Sequence, residues 1–299
     1  MAEYLVLDVG GSSIKHALAD DSYALSDKGS VPNTFRDNAE FIEAIGQLYD
    51  AVAGRVSGIA ISACGELDPA TGEMISGGAL RFNAGTNMIE RVGARCPVPV
   101  SVENDANCAL LAEVHDGSLS DCTNGIVLVI GTGVGGAILI NRRIYHGSHF
   151  HSGNASFSLL SLSEPFDPAR TFAITNGVGG LVRTLALLRS LDRGELDGRS
   201  FFALLDAADP TALAAFDTFC SRLAAFIYNL QVILDVDAVA LGGGISAQPR
   251  FIETVRAKVQ GLFAAENFAR LPAPEVRACT YFNDANLVGA LFHHLHPAV

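Results

Sequence analysis

The sequence predicts an α/β protein of two lobes, each built on a mixed β-sheet. Three observations predict it. The chain has 299 residues, about twice a domain of roughly 150. Apolar residues make up 49% of it and charged residues only 17%, which supplies one or two real cores and rules out global disorder. Short β-rich runs alternate with helical periodicities, in an order that starts again near the middle.

The first cycle opens with a strand at Tyr4–Val9, closed by Gly10-Gly11. Strands at Ser13–Ala19 and Tyr23–Val31 follow, with Asp20-Asp21 and Lys28-Gly29 as turn signals. Ala39–Val52 places Phe41, Ile42, Ile45, Leu48, Tyr49 and Val52 at helical spacing. Val56–Ala63 is again β-rich and ends at Gly65. The second cycle has a short strand at Val98–Val102, a helix at Ala106–Val114 and a strand at Gly125–Ile130. A glycine turn at Gly131–Gly136 leads into an alternating partner strand, Ala137–Tyr145. Helices follow at Gly180–Leu191 and Ala212–Leu234, then a strand at Ala238–Leu241, a helix at Phe251–Phe263, a strand at Val276–Tyr281 and a last helix at Asn286–His296. Two similar units in tandem suggest a duplication at the level of fold.

Composition removes several function classes. The formal net charge is −12 and the only lysines are Lys15, Lys28 and Lys258, so no basic footprint for nucleic acid or an anionic membrane is present. Six cysteines form no C-x-x-C pair and read as free thiols in a reducing compartment. The start, MAEYLVLDVGG, lacks a basic segment followed by an apolar one, so no targeting signal is read. The uncharged stretch Cys122 to Asn141 has an apolar part, Ile126 to Ile140, that is short and broken by glycines, so it reads as buried sheet and not as a membrane span. A cytoplasmic protein is expected.

Chemistry concentrates at strand ends. In Leu7-Asp8-Val9-Gly10-Gly11-Ser12-Ser13-Ile14-Lys15, a carboxylate on a buried strand needs a partner or a metal. The paired glycines let backbone N–H groups approach an anion. The plainer reading is a hairpin turn with a solvated Asp. Ile130-Gly131-Thr132-Gly133-Val134-Gly135-Gly136 matches G-x-G-x-x-G after a strand. A dinucleotide turn is rejected, because a strand follows it and no acidic residue occurs between Asp121 and Glu164 to hold a ribose. A hairpin that holds phosphate oxygens fits better. Ala240-Leu241-Gly242-Gly243-Gly244-Ile245-Ser246 permits close approach of a flat ring or a sugar-phosphate, or is simply a tight strand-to-helix turn. Val102-Glu103-Asn104-Asp105-Ala106-Asn107 is a strand-to-helix junction, where Asn104 or Asp105 caps the helix or serves a ligand.

Taken in order, D-V-G-G-S-S-I-K, E-N-D-A-N, I-G-T-G-V-G-G and L-G-G-G-I-S resemble the ROK family of sugar kinases and sugar-responsive repressors, within the actin-like ATPase superfamily. The resemblance covers nearly the whole chain. It implies two RNase H-like lobes with mixed β-sheets and an interlobe cleft: an N-terminal lobe over 1–106, onto which a helix at about 284–299 packs back, and a larger lobe over 107–283. It implies that Asp8, Gly10, Gly11, Ser12, Ser13 and Lys15 form one phosphate site. Gly131, Thr132, Gly133, Gly135 and Gly136 would form a second, and Gly242, Gly243 and Gly244 an adenosine site. Asp105 would be the general base, with Gly65, Asn83, Asn104 and Asn154 as further sugar contacts. ATP and Mg²⁺ would be the cofactors, with Asp8 as metal holder, directly or through water. A homodimer acting on a hexose or N-acetylhexosamine at the C6 hydroxyl is implied, without nucleic-acid or membrane partners.

The chain departs from the family pattern after the second hairpin. E-x-G-H and a cysteine-rich zinc motif are usual there. Here Asn154 stands in the place of the sugar-binding Glu and Phe157 in that of the zinc-binding His, and Ser158–Asn176 has no cysteine. No structural zinc is expected, and an altered sugar preference or weaker activity is. His146, His149 and His151 form H-x-x-H-x-H in the same loop, either a metal site or solvated side chains. Two other readings compete with the kinase. One is a catalytically weak sugar or nucleotide sensor. The other is a repressor without its DNA-binding domain, disfavoured because the first motif begins at Asp8 and the chain is acidic.

Overall fold

The computed structural model describes residues 2–161, 167–190, 196–265 and 270–297. Its contacts group the chain into two compact units: Met1–Ser120, Arg142–Ser152 and Asn283–Val299 in the first, Asp121–Asn141 and Gly153–Phe282 in the second.

The first unit carries β1 (Glu3–Val9), β2 (Ser13–Asp20), β3 (Leu25–Pro32), α1 (Asn38–Asp50), β4 (Val56–Ala63), β5 (Leu67–Asp68), β6 (Glu73–Met74), α2 (Met88–Arg95), β7 (Val100–Asn104) and α3 (Asp105–Asp116). The short β10 (Arg143–Ile144) and the terminal α9 (Ala285–Leu295) also fall within it. Its sheet has the order β3-β2-β1-β4-β7, with β1, β2 and β3 antiparallel and β1, β4 and β7 parallel. The central strand β1 is buried on both faces from Leu5 to Val9, as a strand covered on two sides must be. On one face α1 and α2 bring Phe41, Ile45, Met88 and Val92 onto Leu5, Leu7 and Ile59. On the other, α3 and α9 bring Cys108, Leu287 and Leu291 onto Val6, Ala17 and Ala60. Helix α1 starts because Asp37 accepts from the Glu40 N–H, and it buries Phe41, Ile45 and Tyr49 at a spacing of four.

The second unit carries β8 (Gly125–Ile130), β9 (Val134–Ile140), α4 (Phe172–Asn176), α5 (Val178–Arg189), α6 (Gly198–Asp206), α7 (Pro210–Leu234), β11 (Ala238–Gly242), α8 (Pro249–Ala265) and β12 (Glu275–Ala278). Its strands run β9-β8-β11-β12, with β8 and β9 antiparallel and β8, β11 and β12 parallel. Its core joins Ile126, Leu128 and Val239 to Leu181, Leu185, Phe219, Ile227 and Phe251 from the helices. Asp209 caps α7 and Pro210 occupies its first position, where the missing N–H costs nothing. Both units are therefore a mixed α/β hairpin-plus-parallel sheet flanked by helices, which is the predicted class.

Several boundaries differ from the sequence reading. The first unit extends past 106 to Ser120, because α3 packs on α9: a Cβ on Gly289 would run into the Cys108 carbonyl. The second glycine turn covers only Gly131–Gly133, since β9 already starts at Val134 and takes in Gly135 and Gly136. The partner strand stops at Ile140, where Asn141 and Arg142 turn the chain with φ of 53° and 60°. Lys28-Gly29 lies inside β3 and is not a turn: Gly29 pairs with His16, and a bulge falls at Asp27-Lys28, where Asp27 has φ 49° and the pairing shifts between His16 and Leu18. Helices α2, α4 and α6 were not anticipated; they are short, of eight, five and nine residues. Among the described residues no helix is long and apolar enough to cross a membrane.

Candidate active site

In the first unit the parallel strands deliver the chemistry at their carboxyl ends. Asp8 lies next to last on β1 and is 7% exposed. Its neighbours across the sheet are Lys15 on β2 and Ser62 on β4. The Lys15 Nζ lies 3.2 Å from Asp8 Oδ2, and the Asn286 amide of α9 donates to Oδ1 at 2.9 Å. The buried charge is thus paired.

The β1–β2 turn is closed by Gly10 N–H donating to the Ser13 carbonyl at 3.0 Å. Asn33 then uses its N–H on the Ser12 carbonyl and its side-chain amide on the Gly10 carbonyl, each at 2.9 Å. These bonds occupy the carbonyls of Gly10, Ser12 and Ser13. Among the described residues no acceptor takes the N–H groups of Gly11 or Ser12. Adjacent free amides in a turn are the donors of an anion-binding arrangement.

Asn104 is the N-cap of α3: its Oδ1 accepts from Ala106 N–H at 2.9 Å and Asn107 N–H at 3.2 Å, and its Nδ2 donates to the Gly65 carbonyl at 3.0 Å. The capping alternative is therefore realised, and the same side chain also hydrogen-bonds the Asp105 carboxylate. Gly65 is required by the chain itself, because its φ is 101° and a Cβ would meet the Ser76 carbonyl and lie 2.7 Å from Gly78 N.

Asp105, first residue of α3, is partly exposed, and its Oδ1 accepts from the Ala106 N–H at 2.8 Å. Burial lifts its carboxyl to about 6; the Ala106 N–H pulls the other way, and the negative charge of Asp8 adds to the rise. Such a group is mostly ionised at neutral pH yet more basic than an ordinary aspartate. Asn83 is 2% exposed, and its Oδ1 accepts from Asn38 Nδ2 at 2.8 Å. The structure thus brings Asp8, Gly65, Asn104 and Asp105 together, with Asn83 held separately from the start of α1.

The second unit has a related turn, one residue shorter and without the charges. Gly131 N–H donates to the Gly133 carbonyl at 3.0 Å, and among the described residues no acceptor takes the N–H groups of Thr132 or Gly133. Gly136 and Gly153 approach each other too closely for a side chain on either. At the end of β11, Gly243 has φ 87°, and a Cβ there would collide with the Ile130 carbonyl. Ser246, unrecognised from sequence, locks this turn by donating its hydroxyl to the Gly243 carbonyl at 2.8 Å. By contrast, Cβ atoms on Gly131 and Gly244 would meet nothing within 4 Å, so the chain's own packing does not demand glycine there. Asn154 belongs to this unit, at the start of a single helical turn over Ala155–Phe157.

The three loop histidines do not converge. His146 Nε2 lies 2.8 Å from Glu103 and His151 Nδ1 3.5 Å from Glu66. Among the described residues no group of three or more His, Cys, Asp or Glu side chains is placed to hold a metal. Glu103, Asn33 and Asn286 are the first-unit residues that sequence reasoning missed. The first was visible only as a neighbour in E-N-D-A-N, and the other two carry no local signal.

Comparison with known proteins follows this geometry. The family model described as ROK family matches residues 4–161 and 176–295. A beta-glucoside kinase of Listeria innocua is 31% identical over 291 residues, covering 96% of each chain. Among solved structures, the Listeria monocytogenes protein Lmo2764, put forward as an N-acetylmannosamine kinase, shares 30% identity and a TM-score of 0.88 over 99% of both chains. A ROK family protein of Streptococcus pneumoniae solved with sucrose shares 29% identity and a TM-score of 0.87, over 99% of this chain and 98% of that one.

Proposed function

The chain belongs to the ROK family, and from that premise we propose that it is an ATP-dependent sugar kinase acting on a hexose, an N-acetylhexosamine or a glycoside of one, at the C6 hydroxyl. The observation that carries the reading is Asp105: a carboxylate lifted to about 6, at a helix start, beside the capping amide of Asn104 and the paired carboxylate of Asp8. A phosphoryl acceptor needs one positioned base, and the rest of the catalysis is placement and charge stabilisation.

Asp105 accepts the proton of the sugar hydroxyl as that oxygen bonds to the γ-phosphorus. The bond from that phosphorus to the β-phosphate oxygen breaks, and ADP leaves. Asn104 orients the Asp105 carboxylate and lies against the sugar, and Asn83 and Asn154 supply further contacts. The free amides of Gly11, Ser12, Thr132 and Gly133 hold phosphate oxygens, with the Ser12, Ser13 and Thr132 hydroxyls and Lys15 beside them. Gly244 offers open space for the adenosine, with Gly242 and Gly243 shaping the turn. Mg²⁺ fits Asp8, since this ion is commonly held by one or two carboxylates together with nucleotide phosphates and water. When bound it neutralises phosphate charge. A homodimer is in keeping with the family resemblance, and a cytoplasmic setting with six cysteines that form no C-x-x-C pair.

The test is ADP release from MgATP with a panel led by β-glucosides, then glucose, mannose, N-acetylglucosamine and N-acetylmannosamine. Asp105→Asn is the control. Turnover on one acceptor, abolished in the variant, supports the reading and names the sugar. Silence across the panel, in folded protein that still binds ATP, overturns it in favour of a sensor.

A further inference from the structure

We infer that Glu103 and His146 work as a pair of positioning residues that hold the acceptor side of the site, an inference that rests on the kinase reading above. Glu103 is 1% exposed, so its carboxylate needs a partner for each oxygen. Oε1 accepts from the Asn104 N–H at 2.6 Å and from the Asn107 side-chain amide at 2.9 Å. Those two residues bracket Asp105 in the first turn of α3. Oε2 is left for His146, whose Nε2 lies 2.8 Å away. One buried group therefore ties the turn that carries the base to a residue on a different segment.

That segment, 142–152, leaves β9 through the two left-handed residues Asn141 and Arg142. It is fastened a second time by His151, whose Nδ1 lies 3.5 Å from the Oε1 of Glu66, beside Gly65. Each histidine thus rests on a carboxylate adjacent in sequence to a residue of the acceptor site. Among the described residues, Glu103, the Phe150 ring at 6.2 Å and the buried imidazole of His293 face His146. A neutral imidazole with its proton on Nε2 makes the bond to Glu103, so the clamp does not require a charged histidine. Without His146, Oε2 is a buried acceptor with no donor, and the turn relaxes to find one.

The test compares His146→Leu, His146→Gln and Glu103→Gln with the wild type, by steady-state kinetics and by amide exchange at Ala106 and Asn107. His146→Leu should lower kcat/KM for the sugar on the order of 10- to 100-fold, as a misplaced base does, and leave the KM for ATP within about twofold. His146→Gln, which keeps a donor, should recover most of the loss. Glu103→Gln combined with His146→Leu should be no worse than His146→Leu alone. Exchange in the first turn of α3 should quicken in His146→Leu. The proposal is overturned by sugar kinetics unchanged in His146→Leu, by a loss shared equally with ATP, or by His146→Gln as poor as the leucine. If the wild type phosphorylates nothing, the kinase reading fails by itself; unchanged exchange in His146→Leu then overturns the pair as well.

Discussion

The β1–β2 and β8–β9 hairpins share one plan, but the first is charged and the second is not. Each is an antiparallel pair beside two parallel strands, and each turns through glycines with amide groups left free. Two residues before the first turn glycine, β1 has Asp8 and β8 has Val129; opposite them stand Lys15 and Gly135. From Gly125 to Ile140 the second hairpin holds no charge at all. A fold repeated in this way separates two tasks. Under the proposed function, backbone amides would be enough to hold an anion of fixed shape, and the second turn is built of glycines and one threonine. Moving a proton needs a side chain with a tuned pKa, and the first unit keeps its carboxylates where parallel strands end.

The sharpest way to break that comparison is Asp105→Asn. It should lower kcat by on the order of a thousandfold with little change in the KM for ATP. The same change should raise stability, because the folded carboxyl titrates near 6 and the unfolded one near 3.8. Ionised Asp105 therefore costs stability fully above pH about 6 and not at all below about 3.8. Melting curves should show Asp105→Asn gaining on the wild type at pH 8 and losing that advantage by pH 4.

Gly243→Ala probes the other unit through its fold. Its positive φ and the Ile130 carbonyl leave no room for a methyl group, so several kcal/mol of stability should go, read as a fall in Tm. Asp8→Asn comes next. With the like charge gone, the acid limb of kcat/KM should move below the wild-type value near 6, while kcat falls about a hundredfold with the lost phosphate-side carboxylate. An acid limb that stays in place would break the coupling between the two carboxylates.

Strands and motif order were legible in the sequence because buried parallel strands are continuous apolar runs and glycine turns punctuate them. Val56–Ala63 and Gly125–Ile130 were placed to the residue. Three features were not legible, for different reasons. The bulge at Asp27 and the turn at Asn141-Arg142 use left-handed non-glycine residues, which leave a weak local mark. The partners Asn33 and Asn286 reach the site from distant positions, and one sequence does not encode such pairings locally. In E-N-D-A-N, capping and ligand binding predict the same residue types, so only the hydrogen bonds of Asn104 show that it caps α3 and ties it to Gly65.

Gly244→Ala and Gly131→Ala sharpen the comparison at lower amplitude. Neither Cβ meets anything within 4 Å, so Tm should hold or rise slightly, while the KM for ATP increases about tenfold as a methyl group takes the nucleotide's place. Gly243→Ala, one residue from Gly244 but closed in by the Ile130 carbonyl, should show the reverse pattern, and identical behaviour of Gly243 and Gly244 would erase the distinction.

The smallest effect belongs to Lys15→Met. The lysine is 46% exposed beside an Asp8 side chain that is 10% exposed, so solvent screens much of their attraction and the pair contributes on the order of 1 kcal/mol or less. Asn286 still donates to Asp8 Oδ1 in the variant, so the carboxylate is not orphaned and the fold survives. What changes is local charge: Asp8 becomes a less compensated anion. A few-fold rise in the KM for MgATP, shrinking as salt is added, is the expected outcome, since exposed charges are screened within about 8–10 Å. A loss of kcat as large as that of Asp8→Asn would mean that the lysine, and not the carboxylate, is what the first hairpin contributes, and the contrast between the two turns would have to be redrawn around a cation.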